Sequence, residues 1–312
     1  MAKSNKQKRS HGGWQDRLAD YVLRGIIWTA LRLPVKTRLK LVGWVVRRLL
    51  SPLLGWHKRV YANLDHVWPD CPADKRRKIA DQGIDNVARV FIENYDVPEL
   101  LQRGATAGFG GPGLAHVEKA RAEGRPVLFI TGHLGAVEGA RCAMVARGFQ
   151  VGGLYRPLSN PFSNAHYAKN MHQICDPVFE QGRRGTMGLI KHVKSGGMAV
   201  LLFDLFSSAG ETIDFLGQPA PTLTSAADIA LRTNALLVPF FGVRHDDFFG
   251  FDTILETPIE HGDPLDMMRE ATRRLEARIE ENPGQWMWIH RRWKPERQAR
   301  RQRKRAAATT AP

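Results

Sequence analysis

Four short apolar runs in the middle of the chain limit its fold more than any other feature. They are PVLFIT at 126–131, QVGGLYR at 150–156, MAVLLFD at 198–204 and LLVPFFGVR at 236–244. Helical patterns separate them: one after His133, one from Pro161, one through MGLIKHVKSG and one after the start signal of Thr222, Thr224 and Ser225. Upstream, a helical stretch from about Asp74 to Tyr95 stops near Pro98. A Gly-rich connection, RGATAGFGGPG, and a helix, LAHVEKARAEG, follow it. Downstream come a strand near FGFDTIL and a long helix from Asp263. Strands alternating with helices make an α/β domain with a mainly parallel central sheet. Chemistry in such sheets collects at the carboxyl ends of the strands. His133, Arg156 and Asp204 all fall there.

At 312 residues and 43% hydrophobic, the chain is long enough for one main domain with appendages. Cys71, Cys142 and Cys175 are odd in number and far apart, which argues against a disulfide framework or a zinc cluster and fits a reducing, cytoplasmic setting. The net charge of +15 sits at the ends. Residues 11–60 hold ten Lys/Arg against Asp16 and Asp20, residues 291–305 hold nine against Glu296, and Lys3, Lys6, Lys8 and Arg9 open the chain. The middle is mildly acidic. Basic ends point to an anionic surface or partner: phospholipid, nucleic acid or an acidic protein.

The chain divides into a basic, flexible N-terminus (1–13), an amphipathic, membrane-associated helical region (14–60), an α/β domain (61–293) and a basic, disordered tail (294–312). Region 14–60 interleaves Tyr21, Ile26, Trp28, Leu31, Trp44, Leu49 and Trp56 with cations, as helices lying in a membrane interface do. Soluble amphipathic helices packed on the core are the alternative. The tail has no aromatic residue after Trp293 on which bases could stack, so an anionic membrane accounts for its charge more simply than nucleic acid.

Gly108, Gly110 and Gly113 satisfy G-x-G-x-x-G, but the preceding LQRGATA is no buried strand, so this reads as a loop. The signatures of phosphate-loop NTPases, zincins and elbow-type serine hydrolases do not occur. What remains is TGHLGAVEG, with His133 between two glycines and Glu138 five residues on. Five residues on a continuous helix rotate by about 500°, which leaves the two on different faces. His133 must therefore sit in the turn, with Glu138 about one helical turn in and able to reach back. A carboxylate on one ring nitrogen leaves the other to take a proton from a hydroxyl. A capped turn histidine without chemistry has the same pattern. Arg156, Arg183 and Arg184 lie at neighbouring turns, and Asp204 after six apolar residues needs a partner or an exposed rim.

With these residues assembled, the chain resembles the late acyltransferases of lipid A biosynthesis, the lauroyl and myristoyl transferase family. The likeness runs from about Leu31 to Lys294. It is carried by ANLDHVWPD, PVLFITGHLGAVEGA, LYRPLSNP, the GRRG…GLIKHVKSGG stretch, DFLGQPAPTLTSAADIALRTNALLVPFFGVR and the closing NPGQWMWIHRRWK. The resemblance implies a glycerolipid-acyltransferase-like layered α/β fold at the cytoplasmic face of a Gram-negative inner membrane. It implies a His133–Glu138 dyad, acyl carrier protein as donor and a hydroxyl of a lipid A precursor as acceptor. Arg156, Arg183 and Asp204 match positions where the family keeps polar, substrate-binding residues. One departure is Asp204-Leu205, where the family commonly reads Asp-Gln. Because a thioester is already activated, the chemistry calls for no cofactor, metal or covalent intermediate. It needs a general base (His133, oriented by Glu138), cations for lipid phosphate or oxyanion, and an oxyanion donor, for which the N–H groups near Gly132 to Gly135 are candidates. The same chemistry on another lipid, or from acyl-CoA, stays open. So does a basic membrane- or nucleic-acid-binding protein.

Overall fold

The structure is a computed structural model and describes residues 12–294. The expected flexible N-terminus and basic tail fall almost wholly outside the described residues. Nine strands are present among the described residues: β1 (Gly108–Gly110), β2 (Val127–Thr131), β3 (Val151–Tyr155), β4 (Val178–Glu180), β5 (Met198–Leu202), β6 (Glu211–Phe215), β7 (Gln218–Thr222), β8 (Leu236–Arg244) and β9 (Phe251–Leu255). Seven form one sheet in the order β1-β9-β8-β2-β5-β3-β4, and β6 and β7 make a separate hairpin.

The five strands from β8 to β4 are parallel, and β9 turns back antiparallel on β8 with β1 parallel to it. The mainly parallel α/β architecture read from the apolar runs is therefore present. All five residues of β2 are buried, which is why its sequence is a continuous apolar run. On one face of the sheet, Leu128 and Ile130 pack with Leu189, Val193, Ala227 and Leu275 from the helices Arg183–Lys194, Ser225–Thr233 and Pro264–Glu281. On the other, Val127 and Phe129 pack with Val117, Ala140 and Met144 of the helices Leu114–Ala122 and Val137–Ala146.

Several local expectations are revised. Pro98 stands in the first turn of a helix, Val97–Thr106, because its missing N–H is costless there. Part of the Gly-rich connection is the edge strand β1. The glycines at 108 and 113 serve close packing: a Cβ at Gly108 would fall 2.2 Å from Asp252 Oδ1 and one at Gly113 2.0 Å from the Glu256 carbonyl oxygen. LQRGATA itself lies in and just beyond that helix, so no strand leads into the glycines. The hairpin β6–β7 and the short β4 had no clear apolar pattern to announce them.

Helices cover most of residues 14–67, and none of the helices among the described residues is long and apolar enough to cross a membrane. The first, Trp14–Leu31, buries Asp20 and Ile27, with Leu23, Ala30 and Leu31 packed on the cluster of Leu39, Ile92 and Tyr95. Buried Asp20 accepts from Ser163 Oγ (2.9 Å) and pairs with Arg24 (2.7 Å), while Asn160 Nδ2 donates to the Asp16 carbonyl (2.7 Å). Its Trp14, Leu18, Tyr21, Val22, Ile26 and Trp28 face outward, all exposed. Leu41, Trp44, Leu49, Leu53 and Leu54 extend this apolar surface along the following helices.

Candidate active site

Register brings the site together. In the parallel pairing of β2 with β5, Thr131 stands opposite Leu202, so His133 and Asp204, each two residues past its strand, meet at the same edge. His133 Nδ1 lies 2.7 Å from Asp204 Oδ1. The backbone N–H of His133 donates to Asp204 Oδ2 at 2.7 Å, and Trp286 Nε1–H donates to the same oxygen at 2.9 Å. The carboxylate is buried and the imidazole about one third exposed (1% and 29% of the side chains).

This geometry fixes the chemistry of both groups. Burial opposes the charge on Asp204, but the His133 pairing and the hydrogen bonds from His133 and Trp286 outweigh it and hold the carboxyl down at about 2. Burial likewise disfavours the imidazolium, yet Asp204 and, less, the charge of Glu138 lift His133 above the ordinary histidine value. An ionised Asp204 accepts the proton on Nδ1, so neutral His133 presents an unprotonated Nε2 with no hydrogen-bond partner among the described residues.

The place that sequence reading assigned to Glu138, the carboxylate on the second ring nitrogen, is thus taken by Asp204. Glu138 opens the helix Val137–Ala146, lines the same cavity and accepts a long contact from Arg141 (3.5 Å), with no hydrogen bond to His133. Buried Arg141 is anchored to the Val151 and Cys175 carbonyls at 3.1 and 2.9 Å. Arg156, just past β3, lines the cavity; Arg183 is exposed at the start of its helix and outside the cavity wall. Three of the N–H groups proposed for an oxyanion are occupied: that of His133 by Asp204, of Leu134 by the Gly132 carbonyl, of Gly135 by that of Gln285.

The cavity measures about 510 Å³. Its lining combines polar His133, Glu138, Arg141 and Arg156 with apolar Leu154, Val178, Val200, Leu202, Phe203 and Leu223. Its floor is braced by the C-terminal segment. Met287 N–H donates to the His133 carbonyl (3.0 Å), and Asn86 Nδ2 spans the Gly135 and Gln285 carbonyls at 3.1 and 2.8 Å. Gly135, at φ +59°, must be glycine: a Cβ would sit 2.0 Å from the Gly242 carbonyl oxygen. Arg244 holds Asn86 Oδ1 at 2.6 Å and is itself paired with buried Glu93 at 2.5 Å. His290 Nε2 accepts the Phe206 N–H (3.0 Å), and burial lowers its pKa to about 4, so it stays neutral.

The chain matches the sequence profile of the bacterial lipid A biosynthesis acyltransferases over residues 10–295. It belongs to that family. It is 25% identical over 279 residues to the lipid A biosynthesis lauroyltransferase of Escherichia coli, covering 86% of this chain and 89% of that one. To a lipid A biosynthesis acyltransferase of Haemophilus influenzae it is 22% identical over 266 residues, covering 80% and 83%. To the palmitoleoyltransferase of Escherichia coli it is 22% identical over 287 residues, covering 86% and 89%. The protein is accordingly an acyltransferase. Several of its site residues went unread in the sequence. Asn86 and Arg244 carried no motif, and Trp286 stood in the quoted NPGQWMWIHRRWK without a role. Asp204 did carry a signal, since it and His133 follow apolar strands at the same offset. Asn63 of ANLDHVWPD gains a reason too: its amide donates to the Trp288 and His290 carbonyls at 2.7 and 2.8 Å, tying down that C-terminal segment.

Proposed function

We propose that this acyltransferase moves a fatty acyl chain from acyl carrier protein to a hydroxyl of a lipid A precursor, at the cytoplasmic face of the inner membrane. The observation that carries this reading is the His133–Asp204 pair, whose histidine lines a cavity with many apolar side chains. His133 Nε2 takes the proton of the acceptor hydroxyl. The resulting alkoxide oxygen bonds to the thioester carbonyl carbon, and the tetrahedral oxyanion collapses with cleavage of the C–S bond. The imidazolium then returns its proton to the leaving thiolate. Asp204 fixes the tautomer and stabilises the imidazolium. Glu138 adds negative charge beside it and steadies Arg141. With those three N–H groups taken and Arg141 anchored to the Val151 and Cys175 carbonyls, Arg156 serves as the cation for the oxyanion or a lipid phosphate. Apolar lining residues suit an acyl chain.

In this reading the layered sheet is glycerolipid-acyltransferase-like, residues 61–293 form the catalytic domain and the helices of 14–60 seat it on the bilayer. A helix that exposes Trp14, Leu18, Tyr21, Val22, Ile26 and Trp28 presents more apolar surface than water favours, which supports an interfacial position. The test is acyl transfer from labelled acyl carrier protein to a detergent-solubilised lipid A precursor. His133→Ala should lose about 10²–10⁴-fold with the fold intact, and Glu138→Gln less. Wild-type transfer that survives His133→Ala rules out the base assignment.

A further inference from the structure

The helix Arg183–Lys194 starts at the cavity rim, two residues after Gln181, which lines the cavity. Leu189 and Val193 bury its inner side. Its outer side carries Arg184, Met187, Lys191 and Lys194, all exposed. At 100° and 1.5 Å per residue these four span an arc of about 80° and a length of about 15 Å. There is no Asp or Glu from 181 to 197, and Arg184, Lys191 and Lys194 make no ion pair among the described residues. On the long helix Pro264–Glu281, by contrast, Arg269 is paired with Asp266 and Arg273 with Glu270.

A basic stripe could meet lipid headgroups or an acidic protein, and its place in the fold favours the protein. The large exposed apolar residues concentrate on the helices of residues 14–54, whereas this stripe has Met187 alone. Helix Trp14–Leu31 packs on helix Pro161–Ile174, whose Met171 and Ile174 join the core beneath Ala143. Leu189 and Val193 join the core on the opposite face of the sheet. The exposed apolar side of the first helix and the basic stripe therefore belong to elements on opposite faces of the sheet.

We propose that the stripe of Arg184, Met187, Lys191 and Lys194 is the docking surface for the acidic acyl carrier protein, aligning its thioester arm with the cavity mouth at Gln181. The inference rests on the carrier being the donor. Electrostatic docking of this kind acts on encounter and register more than on the chemical step. The test compares kcat/KM for acyl carrier protein thioester with that for the same acyl group on pantetheine, in wild type and in Lys191→Glu/Lys194→Glu. The ratio of carrier to pantetheine efficiency should fall about tenfold or more, through KM, and wild-type KM for the carrier should rise with salt. Lys191→Ala/Lys194→Ala, which removes charge from an exposed face, should give a smaller fall and serves if the Glu pair does not fold. An unchanged ratio, or an equal fall with both donors, overturns the proposal. So does reduced binding to phosphatidylglycerol-containing vesicles with intact carrier kinetics, which would make the stripe a membrane face. A wild type that uses acyl-CoA and not the carrier would instead refute the donor assignment.

Discussion

Replacing Asp204 with Asn separates the two carboxylates near His133. The ionised carboxylate accepts from His133 Nδ1, the His133 backbone and Trp286 at 2.7, 2.7 and 2.9 Å. Its carboxyl lies at about 2 against an ordinary 3.8, a difference worth roughly 2–3 kcal/mol at about 1.4 kcal/mol per pKa unit. In Asp204→Asn the amide oxygen can keep the backbone and indole donors, which turns the NH₂ toward Nδ1. Nδ1 must then accept, so the ring proton moves to Nε2 and the base is blocked. The expected loss in kcat/KM is about 10²–10⁴-fold. The pH profile adds an independent sign. Transfer requires neutral His133, so activity falls as pH drops through a pKa lifted above the usual histidine value. Removing the Asp204 charge lowers that pKa and moves the acid limb of the residual activity to lower pH; Glu138→Gln should move it the same way by less. Acyl transfer measured from pH 5 to 9 for the three proteins decides the matter. Asp204→Asn within threefold of wild type, with the acid limb unmoved and Glu138→Gln inactive, would refute the assignment of Asp204 as the partner.

Trp286→Phe keeps the ring but removes one hydrogen bond to a charged acceptor, so kcat should fall about tenfold with little change in KM, read in steady-state transfer assays. Arg244→Met leaves buried Glu93 with Arg103 as its remaining cation and should cost about 3–5 kcal/mol, measured as a lower urea midpoint. His290, lowered to about 4, contributes stability that is fully present above the ordinary histidine pKa and is lost as pH falls toward 4. A histidine NMR titration should show it still neutral at pH 5.5, when exposed histidines are mostly charged. Trp14→Ser/Trp28→Ser should weaken sedimentation with phospholipid vesicles without lowering thermal stability, because both rings face outward.

The apolar runs made the sheet legible because buried parallel strands need both faces covered and so lose their alternation. What the runs could not convey is which strands are neighbours. β5 enters the sheet between β2 and β3 although it follows both in the chain, and no local pattern records that insertion. The hairpin β6–β7 hid for another reason. Its burial alternates irregularly, and Pro219 and Pro221 in QPAPT read as a loop.

That insertion explains why the partner of His133 was sought at Glu138. A spacing of five residues is visible in the sequence, whereas a separation of 71 becomes a contact only when β2 and β5 pair in register. Long-range pairing also brings rigidity. A carboxylate borne on the same turn as the histidine would move with it, but Asp204 is held by its own buried strand and by an indole from the C-terminal segment. Three separate pieces of chain thus fix one carboxylate, and the base it orients is set before substrate arrives. Glu138, half-buried at the same cavity with only a long contact to Arg141, keeps more freedom than Asp204. A group so placed can respond to substrate charge, which is why substitution at 204 should act on kcat and substitution at 138 should divide its effect between kcat and KM.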